Sequence, residues 1–556
     1  TRDPDYAMHR DEEAGCWWIT LTDLDPDKEY KFQYSFGATS FEDRRTFDPY
    51  TEILYDTSND KWIKSDVYPG LSSSYPASGF ISAFQINRPE YNWKVADYQI
   101  EDEDDLVIYE LLLRDFTDNA YGEGNLKAAM EYLDYLDELG VNVIELMPVQ
   151  EFDGNDSWGY GTHAYFAMDK VYGTRDDYKA FIDACHQRGM AVFFDVVYNH
   201  ATGVHPYAAL YWDDSVNNVT ESNPWFFTTP THPYNVYHQW DHSNPMFREY
   251  VKKNLEYLIK EYKVDGFRFD LSKGFTKDPY RIESYNSERV GYLKEYRNHI
   301  KSVDPNVVMI CEHFVEDENY DLARADIKVW RNMNESFRES AMGWMSNASF
   351  EGLRDTNLPF GTLVGYMESH DEERMMASAE AYGTDMVKAS YELRLDRAGI
   401  NAAFFLLTPG PKMIWQFGEL GYDYSIEYNG RTGKKPWMTD SYLADQNRKD
   451  LYDTYSMLLE FRGDNPRFFD SDADFSWAVS GYDTVQRYIY CKDADGKRFA
   501  LFGNFGSGDQ TINVTLPSGG TWYQYDNGAE WNGQTHSPVM AEGQFYLLVN
   551  DRSLCR

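Results

Sequence analysis

Four short apolar runs in this chain end on groups that titrate or donate hydrogen bonds. They are Asp195-Val196-Val197-Tyr198-Asn199-His200, Gly266-Phe267-Arg268-Phe269-Asp270, Cys311-Glu312-His313 and Glu368-Ser369-His370-Asp371. One acidic group at the end of an apolar run is ordinarily a helix cap or a solvated loop. Four in order, beside Arg268, His200 and His370, point instead to a catalytic cluster. Paired carboxyl groups do acid/base and nucleophilic work, and cleavage of a glycosidic bond needs two of them across that bond, one ionised and one protonated. Arg268 lies two positions before Asp270, so in a strand both side chains face the same way. Its charge would favour ionised Asp270, as a nucleophile requires. Glu312 follows the apolar run 307–311. Partial burial and nearby carboxylates would raise its pKa and keep it protonated for the leaving oxygen.

The elements that must position these groups are legible as a repeat. Apolar runs at 107–109, 141–146, 191–197, 264–270, 307–311, 327–330, 363–367 and 412–415 alternate with amphipathic stretches that include 126–139, 175–188, 247–262, 288–303 and 386–407. Eight such repeats predict a closed (β/α)8 TIM barrel, whose parallel strands gather their C-terminal ends at one face. The connection 198–245, after the third run, is long and rich in Asn, Pro, His and aromatics, which marks a functional excursion. Residues 1–100 read as β-rich, with strands at 17–21 and 31–34 around a turn at 23–27. A polar stretch with Ser72, Ser73, Ser74 and Pro76 follows, and the acidic run 101–105 reads as a linker. From 461 onward, short alternating runs at 487–491 and 499–502 fit a C-terminal β-sandwich. The division expected is therefore 1–100, an N-terminal β-sandwich domain; 101–460, the barrel, with an insertion at 198–245; and 461–556.

Composition narrows the partners. The 556 residues carry a formal charge of -40, and 17% are aromatic, with 45 Tyr and 15 Trp. Such a surface repels nucleic-acid phosphates and anionic membranes. It suits a neutral substrate, although acidity that merely keeps an exported protein soluble is an equal reading. Aromatic rings with polar edges suit stacking on sugar faces as well as core packing. The most apolar stretch, 400–415, is interrupted by Thr408, Pro409, Gly410 and Pro411 and is too short for a membrane span. The chain starts with Thr1 rather than Met, so a processed or trimmed N-terminus is expected. Cys16, Cys185, Cys311, Cys491 and Cys555 are scattered, forming neither a CxxC pattern nor a disulfide framework. His163, His200 and His370 lack the close pairing of a metal-dependent barrel hydrolase.

The four motifs resemble, in order, spacing and strand context, the signature motifs of the α-amylase family of retaining glycoside hydrolases. The resemblance covers about 106–455 and, more loosely, both flanks. It implies Asp270 as nucleophile, Glu312 as general acid/base and Asp371 as the third carboxylate, binding sugar hydroxyls. It also implies that Arg268 holds the nucleophile, that His200 and His370 bind the reacting sugar, and that Asp195 supports the third-strand motif. Tyr160, in Ser157-Trp158-Gly159-Tyr160, resembles the tyrosine stacked under that sugar, with Trp158 beside it. The N-terminal segment, with 30–34 and 47–50, is similar to starch-binding β-domains, and a purely structural cap is an equal reading. The connection 198–245 resembles the family's domain B. A glucan-binding protein without activity usually loses a carboxylate, and this chain keeps all three.

Family resemblance alone does not choose among hydrolysis, branching and debranching. Lys273, three residues after Asp270, stands where α-amylases carry a lysine toward the aglycone, and a surface lysine is the bland alternative. The sequel His313-Phe314-Val315 also differs from branching and debranching patterns. These features favour cleavage of internal α-1,4 bonds of starch, α-amylase type. Against them, Met147-Pro148-Val149 followed by Trp158-Gly159-Tyr160 looks more like branching enzymes and trehalose-releasing relatives, so branching or pullulanase-like debranching is the alternative. Calcium is a candidate structural ion: Asn199 stands at a metal-ligand position of calcium-dependent members, Gly274 replaces a histidine that lends its carbonyl, and Asp241 is a further candidate. A structural Asn cap is an equal reading of Asn199, and no organic cofactor is implied. A polymeric substrate favours a secreted, periplasmic or cell-surface enzyme, and a cytoplasmic glycogen enzyme stays open. The oligomeric state is not legible.

Overall fold

The computed structural model describes residues 4–36, 44–71, 75, 77–117, 124–437 and 439–556. Of the turn-rich stretch read from Ser72 to Pro76, residues 72–74 and 76 lie outside the described residues. Eight parallel strands close a barrel: β1 (Val107–Leu111), β2 (Val143–Leu146), β3 (Ala191–Val196), β4 (Gly266–Phe269), β5 (Val308–Cys311), β6 (Lys328–Asn332), β7 (Leu363–Tyr366) and β8 (Lys412–Trp415). Each pairs with its sequence neighbours, and Lys412 opposite Val107 closes the ring. Most of these strands are buried along their full length, which is why they read as apolar runs rather than as alternation.

Alternation decides what the barrel holds. Ile108, Val143, Phe193, Val308, Ile310, Trp330, Val364, Tyr366 and Met413 form one buried cluster that fills the lower interior. Gly266 makes room for it: a Cβ there would lie 2.5 Å from the Phe193 ring. Two residues further along each strand, toward the C-terminal ends, the same inward parity delivers Glu110, Glu145, Asp195, Arg268 and Glu312. The site is thus the polar top layer of an otherwise apolar core.

Helices wrap the barrel: α1 (Leu133–Leu139), α2 (Arg175–His186), α3 (Pro245–Tyr262), α4 (Ser287–Val303), α5 (Glu316–Ala323), α6 (Asn334–Met342), α7 (Tyr391–Leu406) and α8 (Gln446–Asp464). On α3 the buried positions Phe247, Tyr250, Val251, Asn254, Leu255, Leu258, Ile259 and Tyr262 recur every three or four residues, one face of a helix. Asn244 accepts from the Met246 N–H, and Pro245 occupies the first turn, where its missing N–H costs nothing. On α2, Thr174 and Asp177 form a reciprocal capping box.

Two stretches predicted as single helices are each broken in two. The run 126–139 divides into Leu126–Met130 and α1, because Tyr132 leaves helical geometry and sets its ring against Phe116 and Trp437. The run 386–407 divides at Ser390, whose side chain caps α7 by accepting from the Leu393 N–H. A hairpin, Gln150–Phe152 with Thr162–Met168, stands between β2 and α2 and was not foreseen.

The insertion after β3 contains the short ladders His200–Ala201 with His238–Gln239 and Trp212–Asp213 with Asn218–Val219. Before the barrel, Tyr30–Phe32, Phe80–Phe84 and Ile53–Asp56 make a three-stranded antiparallel sheet, flanked by two hairpins. Phe47 and Leu54 pack it on Ala164 and Ala167 of the barrel hairpin. After α8, six strands between Asp474 and Val549 form one sheet, faced by two short ladders across a core that includes Phe502, Trp522 and Leu548. It is tied to α7 through Arg397, whose guanidinium donates to Glu542 at 2.8 Å. All five cysteines are free thiols. Among the described residues no helix is long and apolar enough to cross a membrane.

Candidate active site

Arg268 organises the top layer. Its side chain is 0% exposed, and Nη1 donates to Asp195 Oδ2 at 2.7 Å and to Asp270 Oδ1 at 3.1 Å. Nη2 donates to Glu312 Oε2 at 2.9 Å, and the Trp330 ring lies 4.1 Å beneath the guanidinium carbon. The strand parity read from the sequence therefore holds, and one cation serves three carboxyl groups. Glu312 Oε2 also accepts the Leu271 N–H at 2.8 Å; Leu271 adopts a left-handed φ of 42° that turns its amide inward.

Sharing changes the electrostatics that two residues alone implied. Burial pushes the Asp270 carboxyl well up, and Glu312, Asp195 and Asp371 add to it. Arg268 opposes that rise without cancelling it. Arg268 favours ionised Asp270 as its charge predicts, but burial first and the neighbouring carboxyl groups second outweigh it. Asp270 therefore retains a proton more readily than an exposed carboxylate does.

Asp371 sits on the far wall with its side chain 42% exposed, against 11% for Asp270 and 13% for Glu312. Burial of its neighbourhood raises its pKa, but His370, Arg268 and Arg431 outweigh that and hold it below the usual carboxylate range. Arg431, which the sequence did not single out, donates to the Asp371 carbonyl at 2.7 Å and to Oδ1 at 3.1 Å. It arrives on the loop after β8, which Arg114 pins by donating to the carbonyls of Thr432 and Gly433.

His370 is buried between aromatic rings. Tyr160 stacks on it at 5.3 Å, and Trp158 meets it edge-on at 5.4 Å. The Tyr160 hydroxyl donates to Asp195 Oδ2 at 2.6 Å and lies 2.9 Å from His370 Nε2. Gly159 makes this corner possible, with φ of +98° and a position where a Cβ would lie 2.3 Å from the Pro148 carbonyl. Trp158, His370, Trp415, Tyr422 and Ile426 line a cleft beside it.

His200 and Lys273, both expected at the sugar, each have protein partners. His200 is buried, with Nε2 2.9 Å from the Tyr160 carbonyl and Nδ1 3.1 Å from the Asn199 amide. It braces Tyr160 from behind, and burial lowers its pKa to about 4, so it is neutral. Lys273 donates to Glu283 at 2.9 Å and covers the Tyr234 ring at 4.0 Å. Its ammonium is held against the insertion rather than free above the site.

The calcium expectation is tested by the donors around Asn199. Its Oδ1 faces His232 Nε2 at 3.2 Å and its Nδ2 donates to Asn235 Oδ1 at 3.1 Å. The Gly274 carbonyl accepts from Gln239, and Asp241 Oδ1 accepts from the Ser243 N–H and hydroxyl. Calcium takes six to eight oxygen ligands. A neutral amide facing an imidazole, its carbonyl neighbour already occupied, does not fit that ion.

Glu110 and Glu145 are two buried carboxyl groups of this layer that sequence reasoning missed. Both are 1% exposed, and they sit opposite each other in the β1–β2 register. Inward parity two residues beyond Ile108 and Val143 was the available signal.

A parallel barrel with paired carboxyls, a third carboxylate and an aromatic wall at its C-terminal face defines a barrel enzyme of glycosidic-bond cleavage. Comparisons narrow the class. The profile described as alpha amylase, catalytic domain, matches residues 108–244. Malto-oligosyltrehalose trehalohydrolase of Saccharolobus solfataricus is 32% identical over 459 residues, covering 76% of this chain and 71% of that protein. Alpha-amylase MalA of Haloarcula japonica is 27% identical over 431 residues, 75% of this chain and 58% of that protein. A solved pullulanase from Anoxybacillus, complexed with maltotriose, superposes with TM-score 0.71 at 20% identity, over 98% of this chain and 80% of that one. The chain belongs to the α-amylase family of glycoside hydrolases, and that family implies an α-glucan substrate.

Proposed function

We propose that the chain hydrolyses α-glucans with retention of anomeric configuration. In this reading Asp270 attacks the anomeric carbon while Glu312 gives its proton to the departing oxygen. Water then attacks the glycosyl ester, its proton passes to Glu312, and the Asp270 carboxylate leaves. Asp371 and His370 hold hydroxyls of the reacting sugar. The carrying observation is the buried Arg268 fork, which seats Asp270 and Glu312 on its two arms. Carboxyl groups gathered on one planar cation favour the short spacing of retaining enzymes, ~5–5.5 Å, over the ~6.5–9.5 Å that leaves room for an inverting water.

Within the family we infer release of trehalose from trehalose-capped maltooligosaccharides, with debranching as the second reading, in preference to internal cleavage of amylose. Two observations support this. The chain is 32% identical to a malto-oligosyltrehalose trehalohydrolase over 76% of its length and 71% of that protein. The lysine that favoured amylase-type action is tied to Glu283 and Tyr234. The test is product analysis on maltooligosyl-trehalose, pullulan, amylopectin and amylose. Trehalose, or failing that linear chains from the branched substrates, is expected well before amylose shortens. Rapid internal fragmentation of amylose with neither product would overturn the finer reading and restore the amylase type.

A further inference from the structure

Glu110 is the inward residue at the C-terminal end of β1, and it contacts no part of the Arg268 fork. One carboxylate oxygen accepts the His370 backbone N–H at 3.0 Å, and the other meets His370 Nδ1 at 2.5 Å. The grip is bidentate and buried, joining the first barrel strand to the loop after the seventh across 260 residues of chain. With Nδ1 taken, the ring can turn in only one sense: Nε2 faces the Tyr160 hydroxyl at 2.9 Å and Asp371 Oδ2 at 3.6 Å.

We propose that Glu110 is a positioning residue of the active site, which fixes the orientation and positive charge of His370 and through it orders Tyr160 and Asp371 around the reacting sugar. The inference rests on the reading that His370 and Asp371 hold that sugar, and nothing in the resemblance pointed to Glu110.

The surroundings of His370 bear this out. Facing it are Glu110 from β1, Glu145 from β2, Tyr160 from the barrel hairpin, Asp195 from β3, Arg268 from β4, which also carries Glu312 of β5, and Asp371 from its own loop. From β6 and β8 it meets only the rings of Trp330 and Trp415, each at 6.3 Å. Burial alone would strip its proton, yet Glu110 and then Asp371 reverse this and lift its pKa to about 9. Glu145, the register partner of Glu110, is a different case. Burial, with Glu110 and Asp195 nearby, raises its pKa well above the usual range, and its Oε2 lacks a hydrogen-bond partner among the described residues. Its raised pKa favours the protonated form, and it is Glu110 that holds both the backbone N–H and the ring of His370.

His370 is charged below about pH 9, so activity that depends on the imidazolium falls as pH rises through that value. Glu110→Gln keeps the shape and an acceptor for Nδ1–H but removes the charge. The alkaline limb of kcat/KM on the trehalose-capped oligosaccharide should then move down by about two pH units or more. At pH 8 activity should fall at least about tenfold, less at pH 5.5, and Glu110→Asp should restore part of the loss. Glu145→Gln, the same change at the same depth one strand away, should leave the alkaline limb at the wild-type pH, whatever it does to the rate. Thermal unfolding of each variant separates folding from function. An unshifted alkaline limb in folded Glu110→Gln, or equal shifts in both Gln variants, would overturn the proposal. Asp371→Asn is the separate control: its retaining full activity would sink the functional reading itself, whatever Glu110 does.

Discussion

The Tyr160 hydroxyl donates to Asp195 and meets His370, while its backbone carbonyl is braced by His200, so the ring is held on three sides. A sugar stacking on that ring meets a surface already fixed, and little further ordering is needed at the moment of reaction. Tyr160→Phe keeps the ring but leaves Asp195 with one fewer donor in a buried site, and a fall in kcat/KM of about tenfold is expected, worth ~1.4 kcal/mol. Tyr160→Ala should lose on the order of 100-fold, with the melting temperature little changed, since the ring lies partly open at the cleft. Initial rates on one substrate, beside a thermal scan, check both. Lys273→Met tests the opposite kind of residue. Its partner Glu283 is half exposed, so stability should change by about 0–1 kcal/mol and the product ladder should be unchanged. A shifted ladder would return Lys273 to the substrate.

Trp158, Gly159 and Tyr160 belong to the loop of the hairpin between β2 and α2, and the backbone there is as constrained as the side chains. Gly159→Ala must move either the Pro148 carbonyl or the loop, and a displacement near 1 Å at a reacting sugar can cost about 100-fold. The expected signature is a large loss of kcat/KM with a smaller loss of stability. Similar losses in both would assign Gly159 to folding alone. This hairpin also marks where sequence reading stopped. The barrel strands were legible because each is a short run buried on both faces, and the motif residues because they end those runs. Glu110 and Glu145 were not, because the runs were closed one residue early, at Tyr109, or passed through as apolar, at 141–146. A carboxylate on the inward parity of a buried strand was the missed signal. Ser390 and Tyr132 broke two predicted helices because a local cap and a ring contact outweigh amphipathic periodicity. The engagement of His200 and Lys273 was beyond the sequence, since it depends on where residues 232–237 and Glu283 return in space.

At the scale of the molecule, buried histidines and a charge of -40 set the response to pH. Burial lowers His163 and His200 to about 4, and His205 and His242 to about 3. Their unfolded value is about 6.5, so the stability they contribute is present above that pH. It is lost as pH falls toward 4, by at most about 1.4 kcal/mol per histidine per pH unit. His370 works the other way, contributing below about 6.5 and losing its share as pH rises through about 9. Urea unfolding across pH 4 to 10 should therefore give a maximum near neutrality with a steep acid side. A flat acid side down to pH 4 would contradict the burial of these rings. Self-repulsion at -40 should also make added salt raise the melting temperature at pH 7.

One guanidinium holds Asp270 and Glu312, in the proposed reading the nucleophile and acid/base of a double displacement. Asp270→Ala should reduce kcat on the order of 10⁴-fold or more, but a large loss alone would not distinguish nucleophile from base. Stereochemistry does. Two successive inversions at the anomeric carbon give net retention, whereas a single displacement by water inverts it. Proton NMR of the first minutes of hydrolysis, before mutarotation, reads the anomer of the newly formed reducing end directly. The α-anomer appearing first, then relaxing to the equilibrium mixture, is the result expected. The β-anomer appearing first would contradict the mechanism and the role given to Asp270.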